Sequence, residues 1–243
     1  MDLRSAIARI PLAGPWLGLR RDLRIRAVFD RVYKEHRWPG LDSKSGPGSS
    51  LPQTAVIRDQ LPKLIAELGI ISMLDIPCGD LNWMQHVDLG STRYIGADIV
   101  ESMIASSMLR YASPSREFHV LDLTCDELPK ADLIFCRDCL VHLSNRLVHK
   151  ALARIVQSRS TYLLTTTFPA RTKNYNIPTG KWRPLNLCVA PFNLPRPTRV
   201  INEGNSDASY SDKSLCLWRI SDLGDGDVSR GIDRPRIHRP DRA

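Results

Sequence analysis

The chain has 243 residues, 42% of them hydrophobic and 25% charged, which is the profile of a globular protein with one sizeable core and excludes a disordered or fibrous chain. Its net charge of +8 is uneven: residues 1–37 carry nine Arg/Lys against four acids, residues 221–243 carry five of each, and the rest carries 20 against 17. A basic character confined to the N-terminal end gives no reason to expect a nucleic-acid groove in the body of the chain, and nucleic acid is not an expected partner.

Residues 1–25 are basic and interrupted. Arg4 and Arg9 precede Ile10 to Leu19, a run holding two prolines and two glycines, and Arg20-Arg21 follows it. Ten apolar residues are too few to cross a bilayer, and no small-x-small cleavage site is evident. Weak contact with an anionic membrane surface is one reading of this segment, and short helices packed on the domain are the other. The expected location is the cytoplasm, with any membrane contact peripheral at the inner face. There the six cysteines (Cys78, Cys125, Cys136, Cys139, Cys188, Cys216) would be reduced thiols. Cys136-x-x-Cys139-x-x-His142 invites a zinc reading, but no second ligand pair stands at finger-like spacing, so no metal is expected.

A first helix is predicted over 22–37, with Leu23, Ala27, Val28 and Val32 on one side. Residues 40–50 are a Gly/Ser/Pro loop. A second helix starts near Pro52, buries Ile57, Leu61, Leu64, Ile65 and Leu68, kinks at Pro62 and stops at Gly69. The first strand runs from Met73 to Ile76, and a short helix spans 83–87. The second strand ends at Asp98, a helix covers 100–111, and the third strand ends at Asp122. Leu133 to Cys136 is the fourth strand. The next helix, from Ser144, carries Leu147, Val148, Ala151, Leu152, Ile155 and Val156 as its stripe. Tyr162 to Thr167 is the fifth strand. Residues 169–199 hold six prolines without periodicity. Two strands, 199–202 and 215–220, close the domain, and a Gly/Asp/Arg/Pro tail follows that is expected to be disordered. The alternation predicts an α/β, doubly wound, Rossmann-like parallel sheet. The division read from these patterns is a basic helical segment over 1–40, an α/β domain over 41–221 with a Pro-rich insertion over 169–199, and the tail over 222–243.

Three strand-like runs each end on a carboxylate: Asp75, then Asp98 23 residues later, then Asp122. Open α/β sheets bind ligands across such strand ends, and an acid about 20 residues past the first turn is suited to grip a ribose. Asp75-Ile-Pro-Cys-Gly-Asp80, the Asp98 run and the Asp122 run together resemble the class I S-adenosylmethionine-dependent methyltransferases over residues 50–220. Residues 41–54 and 132–143 are similar to a bacterial branch of that family. The first turn departs from the family's Gly-rich pattern, keeping only Gly79, with Pro77 where a glycine usually stands.

The resemblance implies S-adenosylmethionine as cofactor and an antiparallel closing strand inserted into the sheet. It also implies that Asp98, beside Ile99, holds the ribose and that Asp122 with Leu123 borders the adenine. Pro77, Cys78 and Gly79 would form the turn at the methionine end. Asp75 and Asp80 are read as holding the donor's amino end, Trp83 as covering the donor or, with Met84, as core, and Arg137 as a further cofactor contact. His142 and Asp138 are candidate general bases on an acceptor O–H, since His titrates near neutrality; the alternative for His142 is a structural role. Tyr175, Asn176, Lys181, Trp182 and Arg183 are read as a lid over a small-molecule or glycan-like acceptor. The expected function is methyl transfer, at oxygen rather than nitrogen or carbon. The alternatives are a non-catalytic adenosyl-ligand-binding or scaffolding module and a nicotinamide-dependent oxidoreductase; the missing G-x-G-x-x-G turn argues against the latter.

Overall fold

The computed structural model describes residues 23–38, 42–205 and 207–224. Most of the segment read as a membrane contact and most of the tail lie outside the described residues. Seven strands form one sheet: β1 (Ser72–Asp75), β2 (Arg93–Asp98), β3 (Arg116–Val120), β4 (Leu133–Cys136), β5 (Tyr162–Thr167), β6 (Arg199–Asn202) and β7 (Ser214–Arg219). Their spatial order is β3-β2-β1-β4-β5-β7-β6. Pairs among β1 to β5 are parallel, whereas β7 runs antiparallel between β5 and β6. The helices are α1 (Leu23–Lys34), α2 (Ala55–Leu68), α3 (Glu101–Tyr111) and α4 (Asn145–Gln157).

The inner strands β1, β2, β4 and β5 are buried at nearly every position because both faces are covered. Successive residues alternate between two cores. Leu74, Ile134, Cys136 and Leu163 pack with Leu147, Val148, Ala151, Leu152 and Ile155 of α4. Met73, Leu133, Phe135 and Leu164 pack with Ile57, Leu61, Leu64 and Ile65 of α2 and Ile104 of α3. The helix α2 runs through Pro62 to Leu68 and closes on Gly69 at φ +62°, where the missing Cβ removes the steric cost of the left-handed cap. Among the described residues, no helix is long and apolar enough to cross a membrane.

Element ends differ from expectation by a few residues in several places, and three differences bear on the site. β1 ends at Asp75 rather than Ile76, because Ile76 already begins the turn that runs into Pro77. β3 ends at Val120, so Asp122 lies two residues beyond it, in a turn that its own carboxylate organises by accepting from Thr124 N–H and Oγ1. In α1 the inward stripe is Ile25 and Val32, with Ala27 exposed.

Candidate active site

The strand directions bring residues distant in sequence to one sheet edge. The carboxyl ends of β1, β2, β4 and β5 meet there with the start of antiparallel β7, where Thr167 pairs with Ser214. A cavity of about 510 Å³ opens along this edge, a size within the range of about 300–1,000 Å³ common for small-molecule sites. One half is lined by Pro77–Asp80, Asp98–Val100 and Leu121–Thr124; the other by Asp138, His142, Phe168, Trp182, Tyr210 and Lys213. Ile25, Phe29, Val32 and Tyr33 of α1, together with Trp38 and the loop 44–49, line it as well.

In the first half, Asp98 is buried and accepts from Gly79 N–H at 3.2 Å and from Val100 N–H at 2.9 Å. Burial raises its carboxyl to about 6 against the pull of those amides. Each oxygen keeps a further lone pair for a ligand hydroxyl. Asp122 is also buried; its Oδ1 is used by Thr124, while its Oδ2 is buried without a hydrogen-bond partner. Ile99, Leu123, Pro77, Cys78 and Trp83 all line the cavity. Trp83 does double duty: its ring packs edge-on to Phe135 and lies beneath the Arg137 guanidinium.

The other two acids have different surroundings from those expected. Asp75 does not line the cavity. It is 3% exposed and takes the Tyr94 hydroxyl at 2.6 Å. Burial pushes its carboxyl up to about 8, so it is protonated at neutral pH and ill-suited to hold an ammonium group. Because the folded-state value is raised, the stabilisation is complete below the unfolded value near 3.8 and disappears as pH rises through about 8. Raising the pH from 6 to 9 should therefore remove about 2–3 kcal/mol of stability. Asp75→Asn should flatten that loss, measured as melting temperature against pH; an unchanged slope would show that Asp75 is not the group responsible.

Asp80 lines the cavity, but its carboxylate is occupied by Ser43 Oγ, Lys44 N–H, Ser45 Oγ and Asn82 N–H. It anchors the loop that follows α1. That loop presses on the turn so closely that a Cβ on Gly79 would lie 2.5 Å from Ser45 Oγ. Gly79 therefore has two reasons to be glycine, this approach and its φ of +58°.

At the second half lies a buried four-charge cluster. Arg137 Nη2 donates to Glu203 Oε2 at 2.8 Å and to Gly48 O at 2.8 Å, and its Nη1 lies 3.4 Å from Asp138 Oδ2. Lys213 Nζ donates to Asp138 Oδ2 at 2.6 Å and sits 3.2 Å from Glu203 Oε2. Burial alone would push the Asp138 carboxyl up, but Lys213 and Arg137 outweigh it and hold it well below the usual carboxylate range. Burial likewise opposes the Arg137 charge, and Glu203 and Asp138 outweigh it. Asp138 sits at φ +52° with its N–H on Thr166 Oγ1, a strained backbone costing on the order of 1 kcal/mol that the cluster must hold in place. Glu203→Ala would leave two buried cations facing one acid, which should cost about 3–5 kcal/mol. Calorimetry should register this as a fall in Tm on the order of 10 °C; a fall under about 2 °C would mean the cluster is not holding the fold.

His142 follows this cluster, at the end of a short 3-10 turn (Leu140–His142) rather than on an α-helical face shared with Asp138. Its ring stacks on Trp38 at 4.3 Å, and Nδ1 lies 3.0 Å from Lys181 O. A carbonyl only accepts, so Nδ1 carries the proton and Nε2 is the basic nitrogen. Burial lowers the imidazole to about 4 in spite of the nearby Asp138 carboxylate, keeping it neutral at physiological pH.

Of the five residues read as a lid, only Trp182 lines the cavity. Arg183 is fully buried, donating to Val141 O, Leu143 O and Asn145 Oδ1. Asn176 Oδ1 accepts from Asn145 N–H, and Tyr175 is exposed. Lys181 contributes through its carbonyl to His142. Sequence reasoning missed Trp38, Tyr210, Lys213, Glu203 and the α1 face. The only sequence signal for any of them was the Gly/Ser loop after residue 41, which had no address on the fold.

No protein-family model matches the sequence, and no curated protein matches it. Among solved structures, the chain is similar to 1,6-didemethyltoxoflavin-N1-methyltransferase of Burkholderia thailandensis, whose structure holds 1,6-didemethyltoxoflavin and S-adenosylhomocysteine. The TM-score is 0.56 at 17% identity, over 86% of this chain and 93% of that one. It is also similar to magnesium protoporphyrin IX methyltransferase of Synechocystis PCC 6803 with bound S-adenosylmethionine, at TM-score 0.54 and 13% identity, over 83% of this chain and 98% of that one. These likenesses establish the fold. The chain has the Rossmann-like fold of the class I S-adenosylmethionine-dependent methyltransferases, with the antiparallel β7 inserted next to β5.

Proposed function

We propose that the chain is an S-adenosylmethionine-dependent methyltransferase that moves a methyl group to a hydroxyl oxygen of a small acceptor. The observation that carries this reading is the pair of buried carboxylates at the β2 and β3 ends of one cavity. Asp98 has two oxygens oriented by backbone amides, as a ribose diol requires. Asp122 has a buried oxygen without a partner, which an adenine amino group would satisfy. Ile99 and Leu123 supply apolar contact for the base, and the Pro77–Asp80 turn with the loop 44–49 adjoins the methionine end.

When bound, S-adenosylmethionine supplies a methyl group on a sulfonium: the acceptor oxygen's lone pair forms the new C–O bond as the C–S bond breaks, that bond's electrons staying on sulfur. The protein's part is alignment, which can lower the barrier by about 7–11 kcal/mol. It also disposes of one proton, which the hydroxyl releases to His142 Nε2. Of the two residues first considered as bases, His142 suits the role better, because Lys213 and Arg137 keep the Asp138 carboxylate a poor proton acceptor. Residues 41–221 form the catalytic unit in this reading, and residues 23–38 of the preceding segment complete its cavity. The six free thiols accord with a reducing, cytoplasmic setting.

Titration calorimetry of the full chain with S-adenosylmethionine, S-adenosylhomocysteine and NAD tests it. Binding of the first two and not of NAD is expected. NAD binding alone would overturn the reading. Adenosyl binding without transfer of labelled methyl groups to any component of a cell extract would favour a non-catalytic module.

A further inference from the structure

Once the donor's adenosine is assigned to the ends of β2 and β3, the half of the cavity at β4, β5 and β7 remains, and its walls are aromatic. Trp38 stacks on His142 with ring centroids 4.3 Å apart and planes inclined by 29°. In the same cavity lining, Trp182 meets Tyr210 edge-on at 4.9 Å, and Phe168 meets both, at 5.9 and 6.2 Å. Trp182 keeps 39% of its surface exposed, so core burial alone does not explain a tryptophan there. The four charged side chains in this half are paired with one another, while Asp138 Oδ1 is left without a hydrogen-bond partner. Lys213 and Arg137 are matched by Asp138 and Glu203, which leaves no uncompensated cation among these four for an anionic acceptor. A sugar would need several hydrogen-bond partners, and the polar side chains of 172–183 that could have supplied them do not line the cavity.

We propose that this half of the cavity takes a flat, uncharged hydroxyaromatic acceptor, its ring against Trp182 and Tyr210 and its single hydroxyl at His142. Flat rings gain from edge-on and offset aromatic contacts. The proton chemistry agrees with the geometry: an imidazole lowered to about 4 is a weak base, better matched to a phenolic proton, with a pKa near 10, than to an aliphatic alcohol. In the balanced step, the phenolic oxygen gains the methyl carbon, the donor sulfur keeps the C–S electron pair, and the phenolic proton goes to His142. The inference rests on the methyl-transfer reading, and the test separates the two.

The full chain, saturated with S-adenosylhomocysteine, would be titrated with 2-naphthol, 2-naphthoate and methyl glucoside. Naphthol should bind at least about tenfold tighter than either of the others. Trp182→Ala should weaken naphthol binding about tenfold or more while leaving S-adenosylhomocysteine affinity within about twofold, and Trp182→Phe should retain most of it. Equal binding of the glucoside or naphthoate, or naphthol binding indifferent to Trp182→Ala, overturns the acceptor class and leaves the donor reading standing. Failure of S-adenosylhomocysteine to bind strikes the donor reading instead, and naphthol titrated alone then still reports on the aromatic half. Near-ultraviolet circular dichroism of each variant shows that its fold is intact.

Discussion

Asp98→Ala is expected to weaken S-adenosylhomocysteine binding by at least about 100-fold. Two hydroxyl donors on one ionised carboxylate contribute about 1.5–3 kcal/mol each, and every 1.4 kcal/mol is tenfold in affinity. The substitution also releases Gly79 N–H and Val100 N–H, which that carboxylate now holds at 3.2 and 2.9 Å, so the turn beside the donor loosens at the same time. The carboxylate's own titration supplies an independent signature. Burial has raised Asp98 to about 6 in the free protein, and it must be ionised to accept both hydroxyls. Affinity should therefore be level above pH 7 and fall about tenfold between pH 7 and pH 5. Calorimetry across that range on the native chain and on Asp98→Ala would show a weaker and pH-independent titration for the variant. Native-like affinity in a folded Asp98→Ala protein would remove the donor from this end of the sheet.

The second large effect belongs to His142. Loss of a positioned general base typically costs about 10²–10⁴-fold in turnover, so His142→Ala should lower kcat by that order while leaving S-adenosylhomocysteine affinity within a few-fold. With the imidazole lowered to about 4 and Nδ1 committed to Lys181 O, the base is ready throughout the neutral range. Native turnover should accordingly be flat from about pH 6 to 8 and decline only as pH falls toward 4. A purely structural histidine would behave differently: the variant would lose Tm through the broken Trp38 stack, and its remaining turnover would keep the native pH profile. Unchanged kcat in His142→Ala would end the general-base assignment. Partial rescue by added imidazole would secure it.

Much of the fold was legible because it is written locally. The runs at 73–75, 94–98, 133–136 and 162–167 are rich in apolar and β-branched residues and buried almost throughout, as strands covered on both faces must be, and the α4 stripe from Leu147 to Ile155 has clean helical spacing. The insertion of antiparallel β7 between β5 and β6 came from resemblance, since the apolar run Leu215 to Trp218 says nothing about direction or neighbours. At the site, Asp98 and Asp122 could be singled out by their place at or just beyond strand ends. Asp75 and Asp80 could be singled out by the same logic, yet their carboxylates are committed to Tyr94 and to the 43–45 loop. A sequence position shows that an acid is near a strand end; burial and partners determine whether that acid can serve a ligand.

The sequence by itself determined the β/α order, the identity of the strands and the acids at their carboxyl ends, because hydrophobic period and turn chemistry act over a few residues. Only the tertiary structure decided which side chains share a charge and which share a cavity. Arg137 meets Gly48 across 89 positions and Glu203 across 66, and Lys213 meets Asp138 across 75. Trp38 reaches His142, and Trp182 reaches Tyr210, by routes through three-dimensional packing. Such contacts leave no period or spacing in the chain. They follow from closing the sheet, which brings the ends of β1, β2, β4, β5 and β6 and the beginning of β7 to a single edge.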